Sequence, residues 1–172
     1  SIYNIEEFRS LFLSDFISKI ESSEANNIII SSENLFALRY GEIVNLLDFL
    51  YSIFKEVKIV VYLRRQDKAL LSIESQRAKE GVERLINKGT KSFPRLDRVF
   101  NYYDKLQCWR EHLIAGVDDI IVRSFEKNAF IGGDLIKDFI GCTGVNLKIV
   151  SNSHKVNESL SCCQQEFLFT SN

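Results

Sequence analysis

Two adjacent arginines, Arg64 and Arg65, follow directly after a short apolar run at Ile59–Leu63. The run is rich in β-branched residues, which predicts a strand covered on both faces in a parallel sheet. Open α/β sheets bind ligands at the carboxyl ends of their strands, and the planar guanidinium fork matches the oxygens of a phosphate. Ser72 comes eight residues after Arg64, about a turn and a half into the predicted next helix. This spacing favours a local anion site.

The same residues also fit a solvated turn with two surface arginines, because many strand-to-helix turns carry charge for solubility alone. A second turn of this kind follows the apolar run Asn27–Ser31 and contains Glu33. If Asn27–Ser31 is a strand next to Ile59–Leu63, the carboxylate of Glu33 and the arginines face one crevice, where a carboxylate can accept a proton. Ordinary helix capping also accounts for Glu33.

The sequence VVYLRR, followed by Ser72, resembles the 3'-phosphate-binding element of sulfotransferases that use 3'-phosphoadenosine 5'-phosphosulfate (PAPS). In that family a strand ends in an arginine, and a serine eight residues later completes the grip on the 3'-phosphate. Carried over to this chain, the resemblance implies that Arg64 and Ser72 bind the cofactor. The sequence YLRRQD is most similar to bacterial members of the family. In these members a strand ends in a Ser-Ser-Glu or similar turn at the corresponding place in the chain, so the resemblance implies Glu33 as a candidate catalytic base.

The resemblance implies transfer of a sulfuryl group from PAPS to a hydroxyl or amine of a carbohydrate or small-molecule acceptor, without a metal. The family also has a glycine-rich turn with lysine and Ser or Thr near its N-terminus, which cradles the phosphosulfate with backbone N–H groups. This sequence contains no such turn, so we expect it either upstream of Ser1 or absent. In the second case the alternative function is a non-catalytic α/β interaction module that keeps the fold without binding the donor.

Length and composition limit the other possibilities. A chain of 172 residues with 45% apolar content is long enough for one domain with a substantial core, so a single domain over residues 1–172 is expected. The net charge of -1 provides no global field for nucleic acid or an anionic membrane, and no apolar run approaches a membrane span. The four cysteines show no zinc spacing and no disulfide framework, which predicts reduced thiols in a cytoplasmic protein.

Helical and strand-like periodicities alternate along the chain, which indicates an α/β fold with a mostly parallel sheet of three or four strands flanked by helices. The resemblance implies the sulfotransferase version of the P-loop fold, incomplete at its N-terminus. The predicted helices are Ile5–Glu21, Ile43–Phe54, a helix from the Arg64 turn to Lys79, Phe100–Leu113, and one capped by Asp134; the predicted strands are Asn27–Ser31, Ile59–Leu63, Asp119–Phe125 and Leu147–Val150. A basic connection occupies residues 82–98.

The predicted helix Phe100–Leu113 concentrates large aromatic side chains on or near one face. Tyr102, Trp109 and His112 fit a stacking surface for a base or sugar ring, but core packing is the more frequent use of such a stripe. Core packing is therefore the favoured interpretation.

Overall fold

The computed structural model describes residues 4–82, 100–145 and 164 of the chain. By their internal contacts the residues form two compact units, Ser1–Ser32 and Glu33–Asn172. The predicted strand Leu147–Val150 and residues 83–98 of the basic connection lie outside the described residues. The expectation of a single domain stays a prediction.

The first unit contains helix α1, Ile5–Glu21, with the bounds that the sequence predicts. The side chain of Asn4 caps its start by accepting hydrogen bonds from the backbone N–H groups of Glu6 and Glu7. Phe8, Phe12 and Phe16 follow one another along the helix, with neighbouring ring centroids 6.4 Å apart. This spacing of four residues is the one that places side chains on a common helix face.

The prediction of a strand at Asn27–Ser31 is wrong. These residues belong to no helix or strand, and Ile28, Ile29 and Ile30 are 37%, 48% and 46% exposed. A β-branched run becomes a strand only where a neighbouring strand satisfies its backbone groups, and no such pairing is made in this part of the chain.

The second unit is built on two parallel strands, β1 at Lys58–Leu63 and β2 at Asp119–Ser124. They pair along their full length, so that Lys58 lies opposite Asp119 and Leu63 opposite Ser124. The sheet of the described residues therefore has two strands, fewer than the three or four predicted. The α/β class and the parallel pairing are confirmed, and both strands were predicted to within one residue at each end.

The apolar core packs two helices, α2 at Tyr40–Tyr51 and α4 at Tyr102–Arg110, with Ile59 and Ile120 of the sheet. Its buried members are Ile43, Leu47, Leu50, Val57 and Trp109. Trp109 is 5% exposed, which confirms core packing as its use. Helix α2 begins three residues earlier than predicted, because the Glu42 carboxylate accepts the backbone N–H of Arg39 at 2.7 Å and so satisfies a donor at the helix start.

Asp118 fastens the loops that lead into both strands. Its carboxylate accepts hydrogen bonds from Tyr51 Oη at 2.6 Å, from the N–H of Val57 at 2.7 Å and from the N–H of Ile114 at 2.6 Å. Burial by itself would raise the pKa of Asp118, but these bonds lower it below its usual value. Burial and the Asp118 carboxylate raise the pKa of Tyr51 to about 12.

Two further helices complete the described part of this unit. Helix α3, Gln66–Lys79, follows β1 after two residues and buries Ser75 and Ala78. Helix α5, Leu135–Thr143, begins at the predicted cap, because the Asp134 side chain accepts the N–H groups of residues 136 and 137. Short 3-10 helices lie at Glu33–Ala37, Lys127–Ala129 and Ile131–Gly133. None of the described helices is long and apolar enough to cross a bilayer.

Candidate functional site

Arg64 lies at the carboxyl end of β1, where the sequence places it. The strand ladder continues one step beyond the sheet, because the N–H of Phe125 donates to the carbonyl of Leu63 at 2.8 Å. The Arg64 guanidinium carbon lies 4.8 Å above the centroid of the Phe125 ring. Such a cation–π contact stabilises the pair by about 0.5–1 kcal/mol at an accessible site and leaves the N–H donors at the guanidinium edge available. Arg64 is half-buried and forms an ion pair with none of the described carboxylates.

Arg65 has a different environment from Arg64. It is exposed, and its guanidinium donates two hydrogen bonds to the Asp67 carboxylate, at 3.2 and 2.8 Å. These bonds lower the pKa of Asp67. The charge of Arg65 is thus partly compensated by its own turn, whereas Arg64 stacks on an aromatic ring. Of the two arginines, Arg64 is the one whose guanidinium is placed to bind an anion.

Ser72 lies inside α3 and is half-buried. It lies six positions after Gln66, the first residue of the helix, which corresponds to a rise of about 9 Å. The structure confirms that α3 follows Arg65 directly, so Arg64 and Ser72 occupy the two sides of one strand-to-helix turn. The meeting of their guanidinium and hydroxyl groups on one ligand stays a prediction.

Glu33 opens the 3-10 helix Glu33–Ala37 and is exposed. Its predicted place at the end of a strand beside β1 is corrected, since Asn27–Ser31 is not a strand and the described neighbour of β1 is β2. The role of Glu33 as a base stays a prediction. The 3-10 helix nevertheless contacts the segment that touches Arg64, because Phe36 packs edge-to-face on Tyr102 with the ring centroids 5.8 Å apart.

Tyr102 joins this 3-10 helix to the end of β1. Its hydroxyl donates a hydrogen bond of 3.0 Å to the backbone carbonyl of Arg64. Burial raises the pKa of Tyr102, and the positive charge of Arg64 acts in the opposite direction.

Two contacts with residues distant in sequence hold the turn between β1 and α3. Gln66 Nε2 donates to the carbonyl of Phe100 at 2.8 Å, and Lys68 Nζ lies 3.0 Å from a carboxylate oxygen of Glu126. The first contact fastens the turn to the start of α4, and the second fastens it to the segment that leaves β2. The carboxyl edge of the sheet is thus formed by β1, β2, α3 and α4 together.

Sequence reasoning missed a cluster of ionic and polar side chains around a buried carboxylate on one face of the sheet. Asp138 of α5 is fully buried and accepts hydrogen bonds from Tyr62 Oη at 2.9 Å, from Arg123 Nε at 3.0 Å and Nη2 at 2.5 Å, and from the N–H of Ile131 at 3.0 Å. Tyr62 and Arg123 lie opposite each other in the strand register. Arg64 is two residues beyond Tyr62, so its side chain leaves the same face. Arg123 inside the predicted strand Asp119–Phe125 was the signal that could have revealed the cluster, because an arginine that is removed from water requires an anionic partner.

The cluster has strongly perturbed electrostatics. Hydrogen bonds from Arg123 lower the pKa of Asp138 to about 2, while burial opposes the shift. Burial, followed by the hydrogen bond to Asp138, raises the pKa of Tyr62 well above its usual value. The Asp138 carboxylate accepts four hydrogen bonds, and no buried polar side-chain atom of the described residues lacks a partner. The cluster therefore fits an anchor of α5 on the sheet better than a reacting group.

In the described part of the chain, no group of three or more His, Cys, Asp or Glu side chains is placed to hold a metal ion. Basic and aromatic groups, in contrast, meet at the carboxyl edge of the sheet. The arrangement is suited to holding an anion.

Comparison with known proteins gives a relative without a described activity. An uncharacterized protein of Archaeoglobus fulgidus is 33% identical to this chain over an alignment that covers 81% of this chain. The aligned part is 40% of the length of that relative. No protein-family model matches the chain. No solved structure matches it.

Proposed function

We propose that this protein transfers a sulfuryl group from PAPS to a hydroxyl or amine of a carbohydrate or small-molecule acceptor. The observation that carries the proposal is the placement of Arg64. Its guanidinium lies at the carboxyl end of a parallel strand, over the Phe125 ring, and is ion-paired with no described carboxylate. The carboxyl ends of such strands are where α/β folds bind ligands, and a guanidinium binds a phosphate through two parallel hydrogen bonds.

In this proposal Arg64 and Ser72 bind the 3'-phosphate of the donor. The acceptor oxygen or nitrogen forms a bond to sulfur as the bond between sulfur and the bridging phosphate oxygen breaks, and 3'-phosphoadenosine 5'-phosphate leaves. The acceptor proton passes to a base, for which Glu33 is the candidate. Positioning and charge stabilisation contribute most of the rate enhancement in group transfers of this type.

The proposal includes a cytoplasmic location, where thiols remain reduced, and a donor that needs no metal. Cys108 and Cys142 are free thiols in the structure. The sulfotransferase version of the P-loop fold belongs to the same proposal. Two parallel strands with helices between and around them are compatible with it.

Calorimetric titration of the purified chain with 3'-phosphoadenosine 5'-phosphate and with adenosine 5'-phosphate tests the proposal. The two ligands differ only in the 3'-phosphate, so we expect the first to bind at least about tenfold more tightly. Ser72→Ala should reduce this ratio, whereas Ser52→Ala, which alters an exposed hydroxyl at the end of α2, should not. A chain that binds neither ligand, or binds both equally, would be a non-catalytic α/β interaction module instead.

A further inference from the structure

The carbonyl of Arg64 is held from outside the sheet. The carbonyl of Leu63 accepts from Phe125, on the side of β2. Successive carbonyls of a strand point to opposite sides, so that of Arg64 points away from β2. There it accepts the hydroxyl of Tyr102 at 3.0 Å.

The phenol of Tyr102 is itself fixed. It is half-buried, its ring packs edge-to-face on Phe36, and it is the first residue of α4. The neighbouring side chain of Asn101 caps that helix by accepting the N–H of Asp104 at 3.2 Å. The hydroxyl therefore has little freedom to leave the Arg64 carbonyl, and the bond restrains the backbone from which the guanidinium extends.

From this geometry we infer that Tyr102 is a positioning residue for the anion site at Arg64. The inference rests on the proposed function and adds a residue that the resemblance does not assign. Two restraints act on Arg64: Tyr102 holds its backbone, and Phe125 supports its guanidinium. Loss of the Tyr102 hydrogen bond keeps the charge of Arg64 but allows the orientation of its guanidinium to vary. A bidentate contact depends on this orientation more than a contact to a point charge does.

The test compares Tyr102→Phe with Tyr103→Phe in calorimetric titrations with 3'-phosphoadenosine 5'-phosphate. Both substitutions remove one hydroxyl, but Tyr103 is 70% exposed and serves as the matched control. Tyr102→Phe keeps the ring against Phe36, so we expect it to fold as the unsubstituted chain does. Affinity should fall about fivefold for Tyr102→Phe and remain unchanged for Tyr103→Phe.

The Arg64→Ala background separates positioning from a general structural effect. If Tyr102 acts through Arg64, adding Tyr102→Phe to Arg64→Ala should change the affinity by less than about twofold, since the group being positioned is already gone. An undiminished effect in that background would overturn the inference, as would unchanged affinity of Tyr102→Phe alone. If the unsubstituted chain does not bind the nucleotide at all, the proposed function fails and the inference with it.

Discussion

The hydroxyl of Tyr62 in β1 lies 2.9 Å from a carboxylate oxygen of Asp138, a residue of α5 that is fully buried. The same carboxylate pairs with Arg123 of β2. One helix side chain thus joins both strands of the sheet directly below the carboxyl edge that contains Arg64.

Asp138→Asn should destabilise the fold strongly. The substitution keeps the shape of the side chain but leaves Arg123, which is half-buried, without its counter-ion. It also weakens the hydrogen bonds at a fully buried position, and loss of such bonds is among the costlier effects of single substitutions. We expect the melting temperature to fall by about 10 °C. Thermal unfolding followed by circular dichroism measures it. Asp134→Asn is the matched control, because asparagine also caps a helix, and it should change the melting temperature by less than about 2 °C.

Acid should remove the contribution of Asp138 to stability. The folded-state pKa of about 2 lies below the ordinary value of 3.8, so the folded state holds fewer protons than the unfolded state between these values. The stabilisation is therefore present above about pH 4 and is lost as the pH falls toward 2. Melting temperatures measured from about pH 5 down to pH 2 should show the difference between the unsubstituted chain and Asp138→Asn shrinking. A difference that stays constant over this range would contradict the assignment.

Leu47→Ala should open a cavity in the core between α2, α4 and the sheet. Leu47 is 1% exposed, and truncation of a buried leucine costs about 3 kcal/mol. Denaturant unfolding, with the fluorescence of Trp109 as the signal, measures the loss. Leu71→Ala in α3, where the side chain is 49% exposed, should cost less than about 1 kcal/mol. Equal losses for both variants would show that the two leucines are not packed as described.

Local signals predicted most of the fold. Helix α1 has an Asn cap, an apolar residue every three or four positions and acidic residues in its first turn, and its observed bounds match the prediction. The strands β1 and β2 were found because each contains three consecutive β-branched residues, Ile59–Val61 and Ile120–Val122. Asn27–Ser31 has the same composition but no strand. Composition reports that a segment is able to form a strand, whereas pairing depends on a distant partner.

The candidate site could be predicted only in part. Arg64 was found because a charged pair ends an apolar strand, and its position at the sheet edge is confirmed. Its contacts with Phe125 and Tyr102 join residues 61 and 38 positions away in sequence, which periodicity does not reveal. Asp138 was missed because a single carboxylate in an apolar helix resembles an ordinary surface residue until both strands and the preceding turn are in place.

Calorimetric titration of 3'-phosphoadenosine 5'-phosphate into Arg64→Ala and Arg65→Ala tests the central claim most directly. The two arginines are adjacent, but Arg65 is exposed and bonded to Asp67, whereas Arg64 is half-buried over Phe125. We predict that Arg64→Ala weakens binding at least about tenfold and that Arg65→Ala changes it by less than about twofold. Equal effects of the two substitutions, or no measurable binding by the unsubstituted chain, would contradict the account.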